Sequence, residues 1–325
     1  MDKMNKTEVI EFILQGVSER AELRGLLIAV FLAMYLINLM GNGTMILVIS
    51  ASKQLHSPMY FFLSNLSFVD MSLTTITVPK MLSNLISGKK TISHSECIAQ
   101  LYFFAAFSSA ECLLLSIMAY DRYVAICKPL HYITIMNKKV CLSMSAACFI
   151  ICFVNSLLHT LLVNRLSFCK SNIIEHFFCD LTPLFKLSCT DTSANELVIF
   201  TVASAIVMVP FLIILISYVF IISAILKIQS TGGRRKTFST CSSHLIVVII
   251  FFGTLIFMYF RPSSSYSLEK DKITGVVYNV VSPMLNPFIY SLRTKEVKTA
   301  LKTVLQKIFP YNKRVEHLQR KQYPN

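Results

Sequence analysis

Charge is scarce in this sequence: 15% of its 325 residues are Asp, Glu, Lys or Arg, 54% are hydrophobic, and the mean hydropathy is +0.60. A soluble domain carries about 25% charged residues. So little charge cannot cover the apolar surface such a composition leaves over, which excludes a soluble enzyme and a disordered chain. Long polar stretches are missing too. The apolar residues arrive in blocks of about 20, long enough to cross a hydrocarbon core ~30 Å thick. Seven blocks stand at roughly 25–50, 58–82, 98–120, 140–163, 196–226, 238–260 and 273–292. They predict an all-α membrane protein, a seven-transmembrane helix bundle over 25–292, with residues 1–24 before it and 293–325 after it.

Acids are the scarcer sign, and the formal net charge is +14. Loops on the carboxy-terminal side hold Lys53, Lys128, Lys138, Lys139, Lys227, Arg234, Arg235 and Lys236. Against them stand only Asp121, Glu296 and Glu316, while the other side is nearly balanced. The positive-inside rule then predicts an extracellular amino terminus and a cytoplasmic carboxy terminus. The surplus faces an anionic lipid leaflet and acidic cytoplasmic partners, and no nucleic acid is expected. Residues 1–24 have no apolar core, so the first span is expected to act as an uncleaved insertion signal. Asn5-Lys6-Thr7 is a glycosylation sequon on the outer side, whereas the sequons at Asn42 and Asn65 fall inside spans.

Of ten cysteines, Cys97, Cys169, Cys179 and Cys189 fall on the oxidising side. Three pairings are open to them. A bridge from Cys97 to the 164–195 loop would hold that loop over the bundle. A metal site at His176-Phe177-Phe178-Cys179 falls short of a ligand set.

Polar groups in hydrocarbon need partners and mark function. Asp70 lies about 18 Å into the second span and Glu111 about 16 Å into the third, counted from their basic ends at ~1.5 Å per residue. Two carboxylates at one depth, with Asn42 and Asn286 as neutral neighbours, predict a site for sodium, a hard cation taking oxygen ligands. The alternative is one protonated acid hydrogen-bonded to the other's helix. Glu111 and Arg122 are eleven residues apart, about 20° from exact alignment on a helix, so one inward face carries both. Pro79, Pro210, Pro283 and Pro287 interrupt spans. After Leu292, Val297, Leu301, Val304 and Leu305 recur at helical spacing among lysines, predicting a short amphipathic cytoplasmic helix.

Longer strings carry a resemblance. Asp121-Arg122-Tyr123 and Asn286-Pro287-Phe288-Ile289-Tyr290 resemble the third- and seventh-span motifs of rhodopsin-like G-protein-coupled receptors. Three further strings narrow this to olfactory receptors: Leu55-His56-Ser57-Pro58-Met59-Tyr60-Phe61-Phe62-Leu63-Ser64-Asn65, Met118-Ala119-Tyr120-Asp121-Arg122-Tyr123-Val124-Ala125-Ile126-Cys127, and Lys236-Thr237-Phe238-Ser239-Thr240-Cys241-Ser242-Ser243-His244-Leu245. Ser217-Tyr218 and Pro283-Met284-Leu285-Asn286-Pro287 complete the set, in the family's order. The resemblance runs from about Asn42 to Val297.

It implies an odorant receptor coupled to a stimulatory heterotrimeric G protein and cyclic AMP, at the plasma membrane. Matching positions place the pocket at Phe104, Ala105, Ser108, Ser109, His159, Val202, Ile206, Leu255, Tyr259, Tyr278 and Asn279. Asp121, Arg122, Tyr123, Tyr218, Asn286, Pro287 and Tyr290 form the activation switch, with Arg122 paired to Asp121 at rest. Of the three disulfide pairings, Cys97–Cys179 with Cys169–Cys189 is expected. The sequence has no Trp, so the sixth-span Trp of many rhodopsin-like receptors is missing, and Phe251-Phe252-Gly253 stands where olfactory receptors often have Phe-Tyr-Gly.

Other absences narrow the ligand. No acid occurs at 103–109, so an amine lacks its counter-ion, and no Lys lies between Ile273 and Leu292 to form a retinal Schiff base. A small, neutral, hydrophobic and volatile ligand remains. No catalytic nucleophile–base set accompanies Asp70 and Glu111, and no cofactor beyond sodium is expected. A transporter, the competing class, would show inverted repeats that this chain lacks.

Overall fold

The computed structural model describes residues 10–17, 21–169, 171–259, 268–293 and 295–308, with some side chains, including that of Tyr259, outside the description. Asn5 lies outside the described residues. The long helices are α1 (Arg24–Ala51), α2 (Pro58–Ser87), α3 (His94–Cys127), α4 (Lys138–Asn164), α5 (Ser193–Leu226) and α6 (Thr231–Tyr259). These six are, among the described residues, the helices long and apolar enough to cross a membrane. The seventh run is divided into α7a (Leu268–Val276), a π-helical turn (Val277–Val281) and α7b (Ser282–Arg293). An amphipathic helix, α8 (Lys295–Ile308), follows and packs its buried Val297 and Ala300 against the bundle. The chain is a multi-pass membrane protein built as a seven-helix bundle.

Burial is inverted relative to a soluble protein. Leu47, Ile150, Val154, Leu212, Ile216 and Val219 are exposed, while Asn38, Asn42, Asp70, Thr74, Glu111, Asn279 and Asn286 are buried. Hydrocarbon solvates the former, and only other protein groups can satisfy the latter. Local signals set the helix ends. Pro58 opens α2, where its missing N–H costs nothing, and Gly88 closes it at φ 74° in the left-handed region. Ser93 and Glu96 form a reciprocal capping box on α3, and the Asn137 side chain accepts from Val140 N to cap α4.

The proline pair explains the broken seventh helix. Pro283 cannot donate to the carbonyl of Asn279, and the π-helical turn lies where that bond would have been. Pro287 likewise cannot serve the carbonyl of Pro283. Asn42 Nδ2 of α1 supplies the missing donor at 3.1 Å. A Cβ on Gly41 would lie 3.1 Å from the Pro287 ring, so a glycine there lets α1 come this close to α7b.

A three-stranded sheet covers one end of the bundle, an addition to the all-helical expectation. β1 (Glu11–Leu14) pairs antiparallel with β2 (Thr91–Ser93) and parallel with β3 (Ile173–Ile174). Phe12 and Leu14 turn inward to join Ile92, Leu101, Phe168 and Ile174 in a second apolar core. Alternation in Glu11-Phe12-Ile13-Leu14 is the period of a half-buried strand. Two disulfides fix this end: Cys97–Cys179, with Cα atoms 5.5 Å apart, and Cys169–Cys189, at 5.8 Å.

Candidate functional site

Beneath the disulfide-bearing end, α3 and α7 meet through polar and aromatic groups. The Ser108 and Tyr278 hydroxyls are hydrogen-bonded to each other. The Phe104 ring lies 6.1 Å from Tyr278 and 4.8 Å from Phe178 of the overlying loop. Tyr278 stands 5.4 Å from Phe251, and the rings continue through Phe252 to Phe211 at 5.2 and 5.3 Å. The structure therefore brings Phe104, Ser108 and Tyr278 into one aromatic cluster. Phe178, Phe211, Phe251 and Phe252 belong to it as well; Phe251-Phe252 is the stretch that stands against the family's Phe-Tyr-Gly, while Phe178 and Phe211 were not among the expected pocket residues. Their signal was only aromatic density, which ordinary helix packing also produces.

The other expected pocket positions are less tightly joined. His159 and Asn279 are buried, and no hydrogen bond reaches either His159 nitrogen or the Asn279 amide. Leu255 is buried, while Ala105, Ser109, Val202 and Ile206 are half-buried. Tyr259 belongs to α6, with its side chain outside the description.

The lid over this cluster is the loop around His176-Phe177-Phe178-Cys179. Gln100 of α3 ties it down: its Oε1 accepts from Cys179 N at 2.9 Å while its Nε2 donates to Ile76 O of α2. His176 packs 4.4 Å from the Phe178 ring. Burial first, then the Lys272 ammonium, push the His176 imidazole down to about 3. It is a neutral packing group. A vestibule of about 310 Å³ borders it, lined by Gln15, Glu175, Lys186 and Asp271 among others.

In the middle of the bundle, Asp70 Oδ2 accepts from Asn286 Nδ2 at 2.9 Å. Thr74 Oγ1 donates to Asn38 Oδ1 (3.0 Å) and to Asp70 O (2.7 Å). No hydrogen bond reaches Asp70 Oδ1 or either Glu111 carboxyl oxygen, and the two acids lie close enough to feel each other's charge. Asn42 is engaged with the Pro283 carbonyl and with Asn38 O rather than with the acids. Among the described residues, no group of three or more His, Cys, Asp or Glu side chains is arranged to hold a metal.

At the lysine-rich end several of the residues expected to form the switch lie together, with one correction. Asp121 does not pair with Arg122; its Oδ1 accepts from the Tyr132 hydroxyl at 2.8 Å. Neighbouring helix positions point about 100° apart, so Asp121 reaches the adjoining loop while Arg122 turns inward. Burial and the adjacent carboxylate raise the Tyr132 phenol above its usual value, keeping it a donor. Arg122 acts electrostatically on Tyr60, Tyr218, His244 and Tyr290. Asn286 of this group instead reaches Asp70, and Pro287 sits against Gly41. Tyr123 packs 5.8 Å from Phe220.

His244 was not singled out from the sequence, although an imidazole inside an apolar span was the available signal. Its Nε2 donates to Leu115 O at 3.0 Å, which leaves Nδ1 to accept from the Tyr218 hydroxyl at 2.9 Å. One side chain thus ties α6 to both α3 and α5. At the same end, the loop between α3 and α4 holds out Leu130 and Ile133, 93% and 84% exposed.

The sequence matches the family model described as "Olfactory receptor" over residues 31–308. It is 51% identical to Olfactory receptor 1f45 of Rattus norvegicus across 95% of this chain and 99% of the relative. Olfactory receptor 1C1 of Homo sapiens is 50% identical across 94% of this chain and 98% of its own length. Olfactory receptor 8U9 of Mus musculus is 52% identical, with 94% and 97% covered. With its seven-helix bundle and matches over nearly its whole length, this chain belongs to the olfactory receptor family, receptors rather than enzymes.

Proposed function

We propose that this odorant receptor binds small, neutral, hydrophobic, volatile molecules in the chamber of Phe104, Ser108, Phe178, Phe251 and Tyr278, and activates a stimulatory G protein to raise cyclic AMP. The observation that carries the reading is the Ser108–Tyr278 hydroxyl pair set among aromatic rings. Such a site offers dispersion contact and one hydrogen bond without a counter-ion, the composition of a small-molecule pocket. His159, Leu255, Tyr259, Asn279, Ala105, Ser109, Val202 and Ile206 extend it by family position.

Residues 1–24 are extracellular in this reading, with Asn5 glycosylated, and 293–325 are cytoplasmic in the plasma membrane. Ligand binding favours a conformer in which α6 leaves α3, because binding energy can shift only an equilibrium whose states it distinguishes. That departure breaks both His244 hydrogen bonds and frees Tyr218 to meet Arg122. Arg122, Tyr123 and the exposed Leu130 then face the G protein. Asp70 Oδ1 and the Glu111 oxygens are the hard donors that suit a sodium ion, whose charge would relieve their mutual repulsion. The test is an odorant panel with a cyclic-AMP readout in cells, run beside Arg122→Ala at equal surface expression. A response that survives Arg122→Ala undiminished removes Arg122 from the mechanism.

A further inference from the structure

A groove at the lysine-rich end takes no part in ligand binding or in the α6 switch. It encloses about 600 Å³ between α1, α2, the 129–136 loop and the start of α4. Phe61, Ile133, Cys141 and Leu142 give it apolar walls, and Lys138 stands at its rim. No acidic side chain is among the residues lining it. Leu142 is 61% exposed and Leu47 of the neighbouring helix 64% exposed, so the groove opens on the hydrocarbon side of the bundle. Lys53 and Lys139 stand close in the chain to lining residues, so the segments that form the groove add further basic charge.

A groove that opens laterally into the bilayer is filled by what the bilayer contains. Apolar walls below a cationic rim match a molecule with a hydrocarbon chain and an anionic head, and basic pockets between helices at a membrane face bind such headgroups. We propose that this groove is a docking site for an anionic phospholipid, its acyl chain between Phe61 and Leu142 and its headgroup at Lys138. With the orientation proposed above, that is a lipid of the inner leaflet.

Occupancy has a direct route to the coupling surface. Tyr132 lines the groove with its ring while its hydroxyl holds Asp121, the residue before Arg122. A bound chain packs against the loop that carries Tyr132 and Ile133 and limits its motion. Lipid charge therefore biases G-protein coupling without touching the odorant chamber.

The test uses the full-length receptor in phosphatidylcholine nanodiscs containing a minor share of phosphatidylserine, with retained lipid counted by native mass spectrometry. Both leaflets have the same composition, so the outcome does not depend on which end is cytoplasmic. Lys138→Ala is expected to lower phosphatidylserine retention about fivefold, the effect of one lysine near an anionic headgroup. Leu142→Trp, which fills the groove, should lower retention of both lipids. Lys138→Arg should keep retention, and Lys89→Ala, at the opposite end, should leave it unchanged; together these show that the protein remains folded. Equal phosphatidylserine retention in wild type, Lys138→Ala and Leu142→Trp would overturn the proposal, as would wild-type receptor holding phosphatidylcholine without preference.

Discussion

Replacing His244 by Phe isolates the contact that holds α6 to the bundle. The ring volume and the stacking on Tyr218, at 5.8 Å between centroids, are largely kept. The hydrogen bonds to Leu115 O and from the Tyr218 hydroxyl are lost. Tyr218 is not stranded, since its one hydroxyl proton then turns to Cys241 O, 3.2 Å away. Two neutral hydrogen bonds contribute about 1–3 kcal/mol net. Removed from the resting state alone, that moves the equilibrium roughly 5- to 150-fold toward the open form. From an active population on the order of 1%, basal signalling should rise to between about 5% and 60% of the maximal response. The assay is ligand-free cyclic AMP, normalised to surface receptor and compared with a saturating odorant. Basal activity equal to wild type at matched surface level would mean these bonds are equally strong in both states, and the lock would have to be sought elsewhere.

Three further outcomes follow from the lid and the midplane. Cys97→Ser or Cys179→Ser releases a constraint spanning 82 residues, a loss of about 4–5 kcal/mol by chain entropy, and should retain the receptor inside the cell; normal surface levels in both mutants would show that the bridge is dispensable. His176 titrates near 3 when folded and near its ordinary value of 6.5 when unfolded, so the unfolded state binds the extra proton between those values. Lid stability should be complete above pH ~6.5 and fall by about 1.4 kcal/mol per unit below it, and melting of purified wild type against His176→Phe should show this slope only in the wild type. Glu111→Gln should change the response to replacing sodium by a large organic cation at constant ionic strength; identical shifts in wild type and mutant would reduce the two acids to a packing pair. Linkage requires sodium and agonist to affect each other equally but leaves the sign to experiment.

Hydrophobic run length determined the number and rough placement of the helices, because a bilayer demands about 20 apolar residues whatever their neighbours. Asp70, Glu111 and Arg122 stood out for the same reason: charge in hydrocarbon is costly enough to be conspicuous in one dimension. The division of the seventh run was half legible. Pro283 and Pro287 announced lost hydrogen bonds, yet their spacing of four acquires meaning only when α1 delivers Asn42 to the orphaned carbonyl. The direction of Asp121 was read too simply, since adjacency in sequence suggested a pair that helix geometry separates.

Tertiary structure alone decided the rest. β1 is four residues long and finds its partners at 91–93 and 173–174, separations that no local pattern records. The cluster's rings come from α3, α5, α6, α7 and the lid, and a Phe facing lipid is written with the same letter as a Phe facing the bundle interior. Nor does any periodicity reveal that His244 reaches a carbonyl 129 positions away. Composition and spacing determine what a segment must do in a membrane, because the solvent imposes it on each segment separately. Which polar and aromatic groups meet depends on how the helices pack, and that is a property of the assembled bundle.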